Sequence, residues 1–139
     1  MAFKATKAIA AAFDEAGLKY SIIEPGGSSA VKAVFGGDNY DSATVHYISS
    51  DDDNDVKVVI LSFVKVPASK REKVIMVLND MNNKYRYLKF VMSEDNDVRV
   101  EYDFPLKITN PGDVAVEILI RMMKILDDVY PELMKAIWS

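Results

Sequence analysis

The sequence predicts an α+β domain built in the order αββββαββα around an antiparallel sheet. Three observations carry this expectation. Four β-rich runs between residues 19 and 66 are separated by Gly, Pro and Asp clusters, as antiparallel strands joined by turns are. A helical run opening at Ser69 then leads directly into a hairpin that ends at Phe104. One long, apolar-rich helix closes the chain. Strands gathered apart from helices, rather than alternating with them, define the α+β class.

The first helix spans residues 2–16. Phe3, Ala5, Ile9, Ala12, Phe13 and Ala16 recur near a 3.6-residue period, and the alanines favour helix. Gly17 is the expected C-terminal cap, with Leu18 folding back. Strand 1 is Lys19 to Glu24, ended by Pro25-Gly26-Gly27. Strand 2 is Ala30 to Phe35, followed by a Gly36-Gly37-Asp38-Asn39 turn, and strand 3 runs from Ala43 to Ser49. Strand 4, Val56 to Val66, places Val56, Val58, Ile60 and Val64 on one face and Val59, Leu61 and Phe63 on the other. Apolar residues on both faces suggest a strand covered on two sides.

Pro67 stops strand 4, and Ser69 with Glu72 reads as a capping box opening the second helix. The core stripe of that helix is Val74, Val77, Leu78, Met81 and Tyr85. Strand 5 covers Arg86 to Met92, Ser93 to Asn96 form the hairpin turn, and strand 6 turns Val98, Val100, Tyr102 and Phe104 inward. The third helix starts at Asn110-Pro111, a cap residue followed by Pro at the first helical position. It runs to about Tyr130, and Pro131 starts or kinks a last segment to Trp138. Its apolar arc exceeds the about 100° that one sheet face needs. Either the first helix or a second subunit is expected to cover the remainder, and because the first helix is short and alanine-rich, a two-fold homodimer is the expectation.

At 139 residues the chain reads as one domain, residues 1–139, able to bury a core without disulfides or metal. It has no cysteine, which excludes disulfide scaffolds, cysteine metal sites and cysteine nucleophiles. The single histidine, His46, removes multi-histidine metal sites. No secretory signal is legible near Lys4 and Lys7, and no apolar run reaches membrane-spanning length. A cytoplasmic protein without a membrane partner is the expectation. The net charge of −4 is unevenly spread: six aspartates between Asp38 and Asp55 face no Lys or Arg, whereas residues 65–89 are mainly basic.

Candidate chemistry is sparse. Asp51, Asp53 and Asp55 have the spacing that begins a calcium loop, but Val56 stands where Gly is needed and Ser62 where Glu is needed. No metal and no cofactor is therefore expected. The paired glycines at 26–27 and 36–37 lack any phosphate-loop pattern. Tyr85, Tyr87, Phe90 and Tyr102, beside Lys84, Arg86, Lys89 and Arg99, have the composition of a single-strand stacking surface, which the acidic total opposes. Six internal methionines suit an adaptable hydrophobic groove, although methionines at helical spacing commonly fill cores.

The segment Val77-Leu78-Asn79-Asp80-Met81-Asn82, then Leu88-Lys89-Phe90-Val91-Met92, the acidic turn and Val98-Arg99-Val100-Glu101-Tyr102-Asp103 resembles the YbjN-type domain family. That resemblance implies the fold of the type III secretion chaperones: a curved antiparallel sheet with helices at its start, middle and end. It also implies binding or chaperone-like activity, often as a homodimer, without defined chemistry.

The resulting expectation is a noncatalytic protein- or peptide-binding domain, not an enzyme. Met81, Met92, Met122, Met123, Leu126 and Trp138 are the candidate residues for partner binding or dimer contact. The alternatives are a single-stranded nucleic-acid-binding module, marked by salt-dependent binding, and a small enzyme, marked by a deep pocket holding a carboxylate of shifted pKa.

Overall fold

The structure is a computed structural model describing residues 2–24, 26–50 and 55–139, with the side chain of residue 50 left aside. Its elements are α1 (Lys4–Ala16), β1 (Ser21–Ile23), β2 (Ser28–Phe35), β3 (Ala43–Ser50), β4 (Asp55–Lys65), α2 (Arg71–Lys84), β5 (Lys89–Met92), β6 (Asp97–Pro105) and α3 (Pro111–Trp138). The αββββαββα order is the one expected. The six strands form one antiparallel sheet in the order β1-β2-β3-β4-β6-β5.

The register places Val31, Tyr47, Val58 and Tyr102 in one row across the sheet. These residues point toward the helices. Phe13 of α1 meets Tyr47 edge-on at 5.6 Å between ring centroids, and the Tyr47 hydroxyl donates to the Ala115 carbonyl of α3 at 2.9 Å. Val74, Leu78 and Met81 bring α2 into the same core. All three helices therefore lie on one side of the sheet. The opposite side carries the row Lys32, His46, Val59, Glu101 and Lys89.

α1 ends as expected. Gly17 adopts a left-handed φ of 72°, and the Leu18 N–H donates to the Phe13 carbonyl at 2.9 Å. Its first turn is tied down by buried hydroxyls that the pattern of apolar residues does not reveal. Thr6 Oγ1 lies 2.7 Å from Ser29 Oγ and 2.8 Å from Ser49 Oγ. α1 packs on α3 and supplies the cover that the wide apolar arc of α3 calls for. The close approach rests on Gly112, where a Cβ would come within 2.6 Å of the Ala8 carbonyl oxygen.

Several local expectations are corrected. β4 is not sandwiched between two layers. Its register shifts between Ile60 and Val64, so Phe63 turns into the core, where its ring lies 5.3 Å from Tyr40 and 5.8 Å from Tyr130. Leu61 is left 58% exposed on the open side. The Ser69–Glu72 capping box does not form. Ser69 lies within a 3-10 turn, Ala68–Lys70, and α2 starts behind it with Lys70 in the cap position and no side-chain cap hydrogen bond. An N-cap residue needs an extended backbone, which this turn denies Ser69. Asn110 likewise caps nothing with its side chain, because its backbone is left-handed (φ 60°). α3 continues through Pro131 as one helix to Trp138 instead of restarting there.

The β5 edge is closed by α2. Asn82 Nδ2 donates to the Phe90 carbonyl at 3.0 Å, and the Phe90 N–H donates to Asn82 Oδ1 at 2.8 Å. No described helix is long and apolar enough to cross a membrane.

Candidate functional site

Met81, Met122 and Leu126 do not lie at the surface; each is at most 1% exposed, within the hydrophobic core of the single chain. Met92 is half-buried in the groove between α2 and β5. Met123 lines a depression beside Gly36 and Gly37, and Trp138 is 80% exposed at the end of α3. The fold brings the six residues into no single patch.

The tyrosines fare differently. α2 ends where the Tyr85 N–H bonds to the Met81 carbonyl. Two residues on, the Leu88 N–H donates to the Arg86 carbonyl at 2.9 Å across Tyr87, whose φ is 74°. A hydrogen bond from residue i+2 to i around a central residue with φ near +75° is the rare, strained form of the γ-turn. A bulky aromatic residue at positive φ is a true outlier, with a cost on the order of 1–3 kcal/mol. Burial of Leu88 and the Asn82 clamp on Phe90 hold the segment in place.

This turn presents Tyr87, half exposed, to a groove of about 450 Å³. Tyr102, on the helix-facing side of β6, forms the second aromatic wall, its ring 6.0 Å from that of Tyr87 at 80°. The third wall is the first half of α3, whose Asp113, Glu117 and Arg121 follow one another at i, i+4 spacing on one face. Ile118 and Val114 form the apolar floor beside them. The Arg121 guanidinium lies 5.0 Å from the Tyr87 ring centroid, and its Nε is 3.0 Å from Glu117 Oε1. Asp113 has no charged or hydrogen-bonded side-chain partner among the described residues and faces the groove from the first turn of α3.

Of the four aromatic residues Tyr85, Tyr87, Phe90 and Tyr102 that the sequence offers as a stacking surface, only Tyr87 and Tyr102 meet at this groove. Phe90 is buried, and Tyr85 packs with Lys84 instead. On the open side of the sheet Glu101, 6% exposed, gathers Arg99 at 3.1 Å, Lys57 at 3.4 Å and Lys89 at 3.7 Å. Lys89 and Arg99 are thus committed to a carboxylate rather than free for phosphates. The Arg99 Nε–H does not point along its short contact, so that contact is an ion pair without a well-formed hydrogen bond. The i, i+4 run Asp113, Glu117, Arg121 was the available sequence signal for the rest of the groove.

His46 stands on the open side next to Lys32, in line with Val59. Burial, and secondarily the Lys32 charge, lower its pKa, and its Nδ1 has no hydrogen-bond partner among the described residues. Among the described residues no three acidic or histidine side chains converge as a metal site. Asp51 and Asp53 of the calcium-like run lie outside the described residues, and Asp55 opens β4.

The profile of the YbjN family, described as "Putative bacterial sensory transduction regulator", matches residues 6–133. The chain belongs to the YbjN family. Its fold is similar to the crystal structure of E. coli YbjN, described as "a putative transcription regulator", with a TM-score of 0.57 over 91% of both chains at 14% identity. At that identity the likeness speaks for the fold alone. No curated protein matches the chain.

Proposed function

We propose that this YbjN-family chain is a regulatory domain that binds a protein or peptide segment without transforming it, and that the Tyr87–Tyr102 groove receives the segment. The family match supports a regulatory or binding role in general terms. The observation that carries the site is the strained turn at Tyr87, which holds a half-exposed aromatic ring over a groove. Backbone strain persists where surrounding structure enforces it and concentrates at functional positions, and rigid aromatic side chains are preferred anchors in recognition.

The test is site-specific photocrosslinking in the native cell. A benzophenone side chain at Thr109, on the groove rim, is expected to capture a defined protein. The same group at exposed Val34 on β2 is expected to miss it, and Tyr87→Ala to abolish the capture. Equal adducts from both positions, or none, would refute the groove as the docking site.

Self-association is a second reading. Ile120 and Met123, 57% and 36% exposed on α3, favour a contact between two copies, with Trp138 also at the surface. A two-fold dimer is the commonest oligomer symmetry. Met123→Asp is then expected to convert a two-chain sedimentation mass into a one-chain mass. A one-chain mass for the unmutated protein at tens of micromolar removes this reading.

A further inference from the structure

The groove already contains a cation. Arg121 lies over the Tyr87 ring and pairs with Glu117, while the Asp113 carboxylate lining the same groove has no ionic partner among the described residues. An aromatic face with adjacent carboxylates is the chemistry that recognises guanidinium and ammonium groups. Arg121 is half exposed and held by one ring and one carboxylate, a combination worth little in water. It is therefore easily displaced. The partial positive charge of the α3 N-terminus does not oppose a cation here, because that effect fades beyond the first turn. Glu117 lies past it, and within the first turn the Asp113 carboxylate offsets it with its own charge.

Resting on the groove as the docking site, we propose that its ligand is a basic side chain, Arg or Lys, of the partner polypeptide. This side chain takes the place on Tyr87 and Glu117 that Arg121 holds in the free protein. Arg121 is then an internal competitor, and Asp113 supplies the second carboxylate once the partner's cation has entered. Tyr102 sets the width of the slot through its edge-on contact with Tyr87.

The test starts from linear peptides selected from a random display library on the intact protein. Binding is measured calorimetrically and located by NMR shifts at Tyr87, Tyr102 and Ile118. The expected peptides carry a required Arg or Lys. Arg→citrulline in the peptide, or Asp113→Asn in the protein, weakens binding about ten-fold, the loss of one favourable cation contact. Arg121→Gln strengthens binding, because it removes the competitor. Peptides that shift the groove resonances but tolerate citrulline, or bind more weakly to Arg121→Gln, overturn the cationic ligand and leave the groove as a docking site. Peptides that bind without shifting Tyr87 or Tyr102 overturn the groove as well, as does a library that yields no binder.

Discussion

Asn39 fastens to Asp127 twice: its backbone N–H donates to Asp127 Oδ1 at 2.7 Å, and its side-chain Nδ2 donates to the Asp127 backbone carbonyl at 3.0 Å. That carbonyl is the one Pro131 leaves without a helical donor, since proline has no N–H to offer four residues back. The loop between β2 and β3 thus mends the gap that lets α3 pass through a proline. The same loop seats Tyr40 against Phe35, Phe63 and Tyr130. Burial, with the nearby Asp127 charge, pushes the Tyr40 hydroxyl up to about 12.

Asn39→Ala is expected to cost roughly 0.5–1.5 kcal/mol in chemical denaturation, the worth of one such hydrogen bond. In a Pro131→Ala background the residue 131 N–H can serve the Asp127 carbonyl, so the same change should cost less. Equal costs in the two backgrounds would uncouple the loop from the proline.

Gly112→Ala separates propensity from packing. Alanine favours helix over glycine by about 1 kcal/mol. At Gly112, however, the added methyl would meet the Ala8 carbonyl oxygen at 2.6 Å and the Ala12 Cβ at 2.8 Å. Backbone on the other side of the contact cannot swing away, so net destabilisation on the order of 1–3 kcal/mol is expected, as for overpacking. A raised denaturation midpoint would mean that α1 and α3 stand further apart.

Stability should depend on pH through His46. Its folded pKa lies below the ordinary 6.5 because of burial and the neighbouring Lys32. Between those two values the unfolded chain binds the more protons, so stability falls as pH drops from about 6.5 through the folded value. Above that window the residue contributes no slope. Carboxylates add their own acid dependence, so the reading is a difference: His46→Gln should lose less stability than the parent between neutral pH and pH 5.5. Parallel curves would dispose of the argument.

Ser69→Ala should leave the denaturation midpoint unchanged, because Ser69 is exposed within the 3-10 turn and caps nothing. A loss near 1 kcal/mol, the usual worth of an N-cap, would show that α2 starts at Ser69 after all.

The element order was readable because local signals agreed. Gly17 ends α1, Pro111 begins α3, and Val98, Val100 and Phe104 alternate inward along β6. What escaped was set by partners distant in sequence. The Ile60–Val64 shift depends on pairing with β6, and only that pairing turns Phe63 inward. Ser69 and Glu72 have the right spacing for a cap, yet the turn after Pro67 decides the backbone at Ser69. The groove was visible only as fragments. Tyr87 and Tyr102 share an aromatic character, but the strain at Tyr87 arises only once Leu88 is buried and Phe90 is clamped, and Arg121 reaches the Tyr87 ring only through the packing of α3. Methionine spacing could not separate Met122, fully buried, from Met123, which reaches the surface one position later.

The clamp of Asn82 on Phe90 gives the sheet a finite width. A bare strand edge invites another strand and, with repetition, a fibril. Here a single amide imitates the incoming strand, supplying one donor and one acceptor where a neighbour's backbone would have to add. At the other margin β1 is only three residues long. Asn82 is in that sense a polymer end-group, occupying the margin where β5 would otherwise template its own kind.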